Sequence, residues 1–394
     1  MPAREGHWLN PRRLQVYSWT TAIIFGAITV GIFMRWALGA PNARLPFTDF
    51  SVYWVASYLA LHGQALSVFD PASFCGNIQA LVPASPCGYP WLYPPTFYLL
   101  ILPLALMPYW AAYLAFIGGS VAAYVAMMCR LIRGEVALWC LAAFPGLWIN
   151  VLSGQNGCLT ATLAGVALLN LERRPALAGV FIGLLSIKPH LALLFPVALI
   201  ATGAWRAFLV AAGTTLTWMA TGVLILGTGM LNGWLESLGM ARALLEQTEI
   251  VRMMPTIFAF MRLSGASVMA AYAGQAFVSL IALFSVAVIW RRPVSSPLKY
   301  SALITGTLMV SPYLLEYDLA WLALPMAWMA NQGIRTGWLR WEREILVAAW
   351  LTPVFCIALA KAYSIQLGAL VLLALLWTIV RRANGEIRGE APHG

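Results

Sequence analysis

Charge is what this chain has least of. Only 10% of its 394 residues are charged, with 14 acids and 4 histidines, while 61% are hydrophobic. A soluble domain carries about 25% charged residues, so a water-soluble globule is excluded. No stretch alternates apolar and polar residues for long, which excludes an outer-membrane barrel. Neither GxGxxG nor P-loop spacing occurs, so no nucleotide-binding module is expected. No group of His, Cys or carboxylates has ligand spacing, and neither a metal nor another cofactor is predicted. No repeat of 20–50 residues and no inverted repeat of the transporter kind is visible.

What the chain has instead is long apolar runs from end to end. A helix needs ~20 mostly apolar residues to cross a bilayer, and about twelve apolar runs are candidate spans, several of them only about 13 to 17 residues long: 15–35, 109–129, 135–152, 156–171, 175–187, 189–204, 206–228, 267–290, 300–314, 317–331, 344–360 and 363–380. The expected fold is an all-α polytopic membrane protein, one integral membrane domain over residues 1–394. Charged tails of about 14 residues at the N-terminus and 381–394 at the C-terminus flank it.

The net charge of +10 would suggest nucleic acid in a soluble chain, but here it reports orientation and no nucleic-acid partner is expected. With a cytoplasmic N-terminus and alternating spans, 17 of the 24 Lys and Arg residues fall on the inner side, as the positive-inside rule requires. Both termini are then cytoplasmic. Arg12 and Arg13 ahead of the first run resemble a secretory signal, yet the run continues to Arg35 and ALGAPNA, which favours a retained helix over a cleaved one.

In that topology the polar residues that are not loop decoration gather on the outer side. The first outer loop, 36–109, opens with Asp49 in TDFSVYW, continues through YLALHGQALSVFDPASF, whose pattern suits helices lying at the interface, and closes with YPWLYPPTFYLLILPLALMPYW. Its 13 apolar residues 95–107 fit a short or re-entrant helix. The next outer connections are SGQNG with Gln155 and Asn156, IKPHL with Lys188 and His190, the segment 229–265 with Arg252 and Arg262, and SPYLLEYD with Tyr313, Glu316, Tyr317 and Asp318. An ionisable group at membrane depth is costly and is functional by default. Blander roles stand beside that reading: Lys188 snorkelling to headgroups, Asp49 as a helix N-cap, His62 and His190 as satisfied polar residues, and Gln155 and Asn156 as interhelical glue.

Taken in order, TDFSVYW, YPP, SGQNG, AGVFIGLLSIKPHLALLFPVAL and SPYLLEYDLAWLALP resemble glycosyltransferase family 87, across roughly residues 46–325. The resemblance implies a GT-C-type helical bundle with its active site on the extracytoplasmic face of the cell (inner) membrane. It also implies a polyprenyl-phosphate sugar donor, mannose being the characterised case, and the first-loop acid, Asp49, as catalytic base. The GQN and KP segments would line the cavity near the lipid phosphate, which maps to Gln155, Asn156 and Lys188. The family pattern carries His shortly before the YD pair where this chain has Tyr313, so a relay or phosphate role there is open, with Glu316 or Tyr317 as substitutes.

The chemistry suits these residue types. Nucleotide sugars are absent outside the cytoplasm, so the activated sugar must arrive on a lipid. A carboxylate within hydrogen-bond reach can take the acceptor's proton, and cations or N–H groups can stabilise the departing phosphate. Lys188 is the expected point charge, with His190, Arg252 or Arg262 as helpers and Tyr93 in the aromatic wall of a prenyl groove. One base opposite one leaving group predicts inversion. The acceptor would be a glycolipid or glycan hydroxyl. The rival readings are a transporter or flippase of a lipid-linked or anionic substrate, and a non-catalytic membrane subunit. Cys75 and Cys87 share the first outer loop, where an oxidising compartment permits a disulfide.

Overall fold

The computed structural model describes residues 8–38, 48–83, 85–86, 90–246 and 248–389, which are helical with no strand among them. Seven of the described helices are long and apolar enough to cross a membrane: Pro11–Ala37, Tyr109–Met128, Glu135–Ser153, Trp205–Leu226, Val268–Arg291, Glu342–Tyr363 and Gly368–Arg388. Four shorter apolar helices, Pro95–Leu106, Gly157–Asn170, Pro175–Ile187 and Pro189–Thr202, join Ser296–Val310 and Ala323–Thr336 inside the bundle. Each of the twelve predicted runs overlaps at least one helix, though several are interrupted by turns.

Close packing comes from small residues where helices cross, the usual device where no water drives association. A Cβ on Gly183 would lie 2.7 Å from the carbonyl oxygen of Ala211, and one on Gly179 2.6 Å from that of Ala207. Pro175–Leu184 and Trp205–Leu226 therefore touch nearly backbone to backbone. The first helix sits at the edge, held by a Trp19–Trp139 edge contact and Phe25 stacked on Trp148.

Two polar clusters mark the ends of the bundle. At one end Ser295 and Ser296 bond Glu386 and Glu172, Arg292 bonds Asn384, and Arg382 clasps Glu342 while donating to Thr336 and Gly337. These residues come from connections assigned to one side by charge. The connections assigned to the other side meet at the opposite end and build the site below.

The first loop begins with a helix that enters the bundle. Thr48–Leu61 is not laid on a surface: Phe50, Tyr53, Val55, Ala56 and Leu59 are at most 1% exposed, and Trp54 and Ser57 bond the backbone of Met107 and Leu102. A helix apolar on all sides is an interior helix, and FSVYWVASYLAL is apolar nearly all round. A single π-turn at Leu114–Gly118 bulges Tyr109–Met128 toward it, and Phe116 joins Phe50, Tyr53 and Phe97 in an aromatic cluster.

Candidate active site

Four chain breaks supply the site. The first is the start of Thr48–Leu61, where Asp49 lies in the first helical turn rather than at the cap, close to the positive end of the helix. Four residues on, Tyr53 occupies the same helix face.

The second break is the elbow Gly154–Asn156. Pro145–Ser153 ends at Gly154, which is left-handed (φ 74, ψ 36), a conformation glycine adopts without strain. The next helix begins at Gly157, where a Cβ would come 2.4 Å from the Tyr317 carbonyl oxygen and 2.6 Å from Asn150 Oδ1. Asn150 stitches the elbow shut: Nδ2 donates to the carbonyls of Gly146 and Tyr317 at 3.1 and 2.6 Å, and Oδ1 accepts from the Cys158 N–H at 3.2 Å. The two glycines of SGQNG therefore let the elbow turn and press against the fourth break.

The third break is Lys188. Pro189 biases its predecessor out of the helical region, and Lys188 is accordingly at φ −143, ψ 74, between two short 3-10 turns. The fourth follows Ser296–Val310 and re-enters as the 3-10 turn Glu316–Leu322, which is buried throughout.

Side chains from these breaks form two linked groups. Gln155 Nε2 donates to Asp49 Oδ2 at 2.8 Å, while its Oε1 accepts from Tyr53 at 2.5 Å and Tyr93 at 3.3 Å. A carboxylate only accepts, so the amide must turn its nitrogen to Asp49 and its oxygen to the phenols. Asp49 is partly exposed and Gln155 is buried.

In the second group Lys188 Nζ lies 2.6 Å from Asp318 Oδ1, 3.2 Å from Asn156 Oδ1 and 4.4 Å above the centre of the Tyr317 ring. Lys188 and Asp318 are only 5% and 1% exposed. Two of the three ammonium protons go to Asp318 and Asn156, and the Tyr317 ring lies beneath the charge. His190 approaches the other carboxylate oxygen, with Nε2 3.7 Å from Asp318 Oδ2. Glu316 is also buried, and desolvation pushes its carboxyl up to about 8, so it holds its proton at neutral pH.

Of the sequence candidates, Asp49, Tyr93, Gln155, Asn156, Lys188, His190, Tyr317 and Asp318 come together at this end of the bundle. Arg252 and Arg262 are not seen bonded to this group: Arg252 Nη1 donates to Glu249 at 2.6 Å and Arg262 Nη1 to the Ala266 carbonyl at 2.7 Å, while the Nε of each is buried without a partner among the described residues. Tyr313 is bonded to Tyr272, which donates to Glu246 at 2.8 Å; because the single Tyr272 proton goes to the carboxylate, Tyr313 must donate to Tyr272. Cys75 is disulfide-bonded, and Cys87, its expected partner, lies outside the described residues. Sequence reasoning passed over Tyr53 and Asn150. The i,i+4 spacing from Asp49 signals the first, and a lone amide inside the apolar run LWINVL signals the second.

The model of one protein family, Glycosyltransferase family 87, matches residues 91–312 of this chain. The match takes in Tyr93, Gln155, Asn156, Lys188 and His190, and leaves Asp49 and Asp318 outside. No curated protein and no solved structure matches it.

Proposed function

Because the chain belongs to glycosyltransferase family 87, and is a membrane glycosyltransferase on that ground, we propose that it moves a hexose, mannose first among candidates, from a polyprenyl-phosphate donor to a glycolipid or glycan hydroxyl. The reaction takes place at the outer face of the cell membrane, with both termini cytoplasmic. The observation that carries this reading is the junction of four chain breaks at one end of the bundle. It sets a partly exposed carboxylate, Asp49, on Gln155 and, beyond Asn156, the Lys188–Asp318–His190 group.

In this mechanism the acceptor oxygen attacks the anomeric carbon while its proton passes to Asp49. The bond from that carbon to the phosphate oxygen breaks, and the lipid phosphate leaves with the electron pair. Gln155 donates to one Asp49 oxygen and so orients the carboxylate toward the acceptor. The groups around Lys188 and His190 face the leaving phosphate, where donors aimed at developing charge contribute most. A single base opposite a single leaving group gives inversion at the anomeric carbon.

The test is sugar transfer from synthetic polyprenyl-phosphate mannose by purified protein in lipid nanodiscs. Turnover by the wild type that Asp49→Asn lowers by at least about a thousandfold, the scale of a lost general base, supports the assignment. Donor binding without any transfer across a panel of acceptors, together with donor translocation in liposomes, would move the protein to the flippase class.

A further inference from the structure

At the bundle end that carries the Arg382–Glu342 clasp, the connection 337–343 is fastened to the last turns of Gly368–Arg388. Arg382, 8% exposed, holds the fully buried Glu342 and donates to the Gly337 carbonyl at 2.6 Å and to Thr336 Oγ1 at 2.8 Å. The Leu339 N–H donates to Glu342 Oε2 at 2.9 Å. This clasp sets three further arginines around itself. Arg381 Nη1 donates to the Arg340 carbonyl at 3.1 Å, which joins the two elements at the surface. Each guanidinium lies over a tryptophan: Arg340 Cζ is 5.3 Å from the centre of the Trp341 ring, Arg343 Cζ 5.0 Å from that of Trp338, and Arg381 Cζ 4.3 Å from that of Trp377.

The apolar part of Gly368–Arg388 stops at Val380 and that of Glu342–Tyr363 starts at Ile345. The six residues therefore stand at the depth of lipid headgroups, where aromatic rings and basic side chains collect. Trp341 and Trp377 are 55% and 49% exposed. Trp341 also holds a left-handed backbone, φ 68 and ψ 0, rare for a bulky residue and of a kind that gathers at ligand clamps. Arg382 takes up the Glu342 carboxylate, and no ion pair joins Arg340, Arg343 or Arg381 to an acid among the described residues. A guanidinium lying over a ring keeps its in-plane N–H groups, and that planar fork matches a phosphate.

We infer that Arg340, Arg343 and Arg381, with Trp338, Trp341 and Trp377, form a binding patch for the headgroup of an anionic phospholipid in the adjoining leaflet. The charge pattern makes that leaflet the cytoplasmic one, whose surface is negative. The arginines meet the phosphate, and the exposed faces of the tryptophans meet the glycerol and the upper acyl chains. That apolar surface is what selects a bilayer lipid over a free anion. Bound lipid covers the seam between the connection 337–343 and Gly368–Arg388, so it fastens together two elements that Arg382 joins from beneath. The inference stands apart from the sugar-transfer reading, since it needs only a bilayer around the bundle.

The experiment titrates delipidated full-length protein in detergent with phosphatidylglycerol and reads the first bound lipid by native mass spectrometry, with phosphatidylcholine as the neutral reference and inorganic phosphate as competitor. Thermal unfolding is followed alongside to check the fold. Arg340→Gln, Arg343→Gln and Arg381→Gln should each weaken phosphatidylglycerol binding about fivefold, the ~1 kcal/mol of one basic residue at an anionic surface at ~1.36 kcal/mol per decade. The triple variant should lose about a hundredfold and bind phosphatidylcholine as before. Arg173→Gln/Arg174→Gln/Arg206→Gln, which removes the same charge from other connections assigned to that side, should stay within about twofold of wild type. Trp341→Leu and Trp377→Leu keep the charge and should each cost about two- to fivefold. Equal losses in the two triple variants overturn the patch in favour of diffuse charge attraction. Wild-type affinity in the first triple variant, or in both tryptophan variants, also overturns it, and displacement of the lipid by equimolar inorganic phosphate would make this a free-anion site. Should the triple variant fail to fold, the single arginine and tryptophan variants decide the matter by the same factors.

Discussion

Replacing Gln155 with leucine tests whether the amide positions Asp49 or merely fills space. Gln155 Nε2 is 2.8 Å from Asp49 Oδ2, and a hydrogen bond to a charged group is worth about 1.5–3 kcal/mol. At about 1.36 kcal/mol per decade, losing it from the transition state lowers the rate roughly 10- to 150-fold. The packing cost is smaller, because Tyr53 and Tyr93 already bond one another at 2.6 Å and leucine leaves one phenol proton at most without an acceptor. The assay is single-turnover transfer from polyprenyl-phosphate mannose, with kcat and KM measured in wild type and in Asp49→Asn. A positioning role predicts that kcat falls while KM stays within about threefold, and that the drop vanishes when Asp49 is already Asn, since coupled residues are non-additive. If Gln155→Leu costs the same factor in both backgrounds, the amide acts elsewhere and the reasoning fails. Gln155→Glu provides a second check: two carboxylates 2.8 Å apart cannot both ionise readily, so the acid limb of the pH–rate profile should move to higher pH.

Lys188→Met alone strands a buried carboxylate and should destabilise by about 3–5 kcal/mol, seen as a fall in apparent Tm that Lys188→Met/Asp318→Asn largely reverses; equal losses in the single and double variants would argue against the ion pair. Gly157→Ala forces a Cβ to 2.4 Å from the Tyr317 carbonyl oxygen and should cost at least about 1–3 kcal/mol as overpacking, more than Gly154→Ala, whose penalty is the left-handed backbone at about 1 kcal/mol; the reverse order in thermal unfolding would refute the close approach. Glu316 is held protonated up to about pH 8, whereas an unfolded glutamate loses its proton near 4.3. Native protein therefore binds the extra proton between those values, and stability should fall as pH rises through that window, by at most about 1.4 kcal/mol per pH unit. Glu316→Gln should flatten that part of a Tm-against-pH curve, and an unchanged slope would locate the titration elsewhere.

What could be read from the sequence and what could not divide along a physical line. The bundle was legible because bilayer thickness imposes a length on apolar runs and basic residues impose a side, and both are properties of one segment at a time. The grouping of the candidate residues followed from the same arithmetic: Asp49, Gln155, Lys188 and Asp318 stand at chain breaks expected on one side, and their side chains gather at one end of the bundle. The partnerships were not legible, because Lys188 and Asp318 are 130 positions apart and only folding decides whether a buried cation serves a ligand or an internal carboxylate. The burial of Thr48–Leu61 shows the same limit. Its apolar pattern fits lipid and protein interior equally well, and only the contacts with Leu102 and Met107 distinguish them. Tyr313 completes the case: its position beside the YD pair suggests a place near the phosphate, but a phenol that donates to Tyr272 has no second proton to offer. A position's chemistry is therefore set by which donors remain unspent after folding.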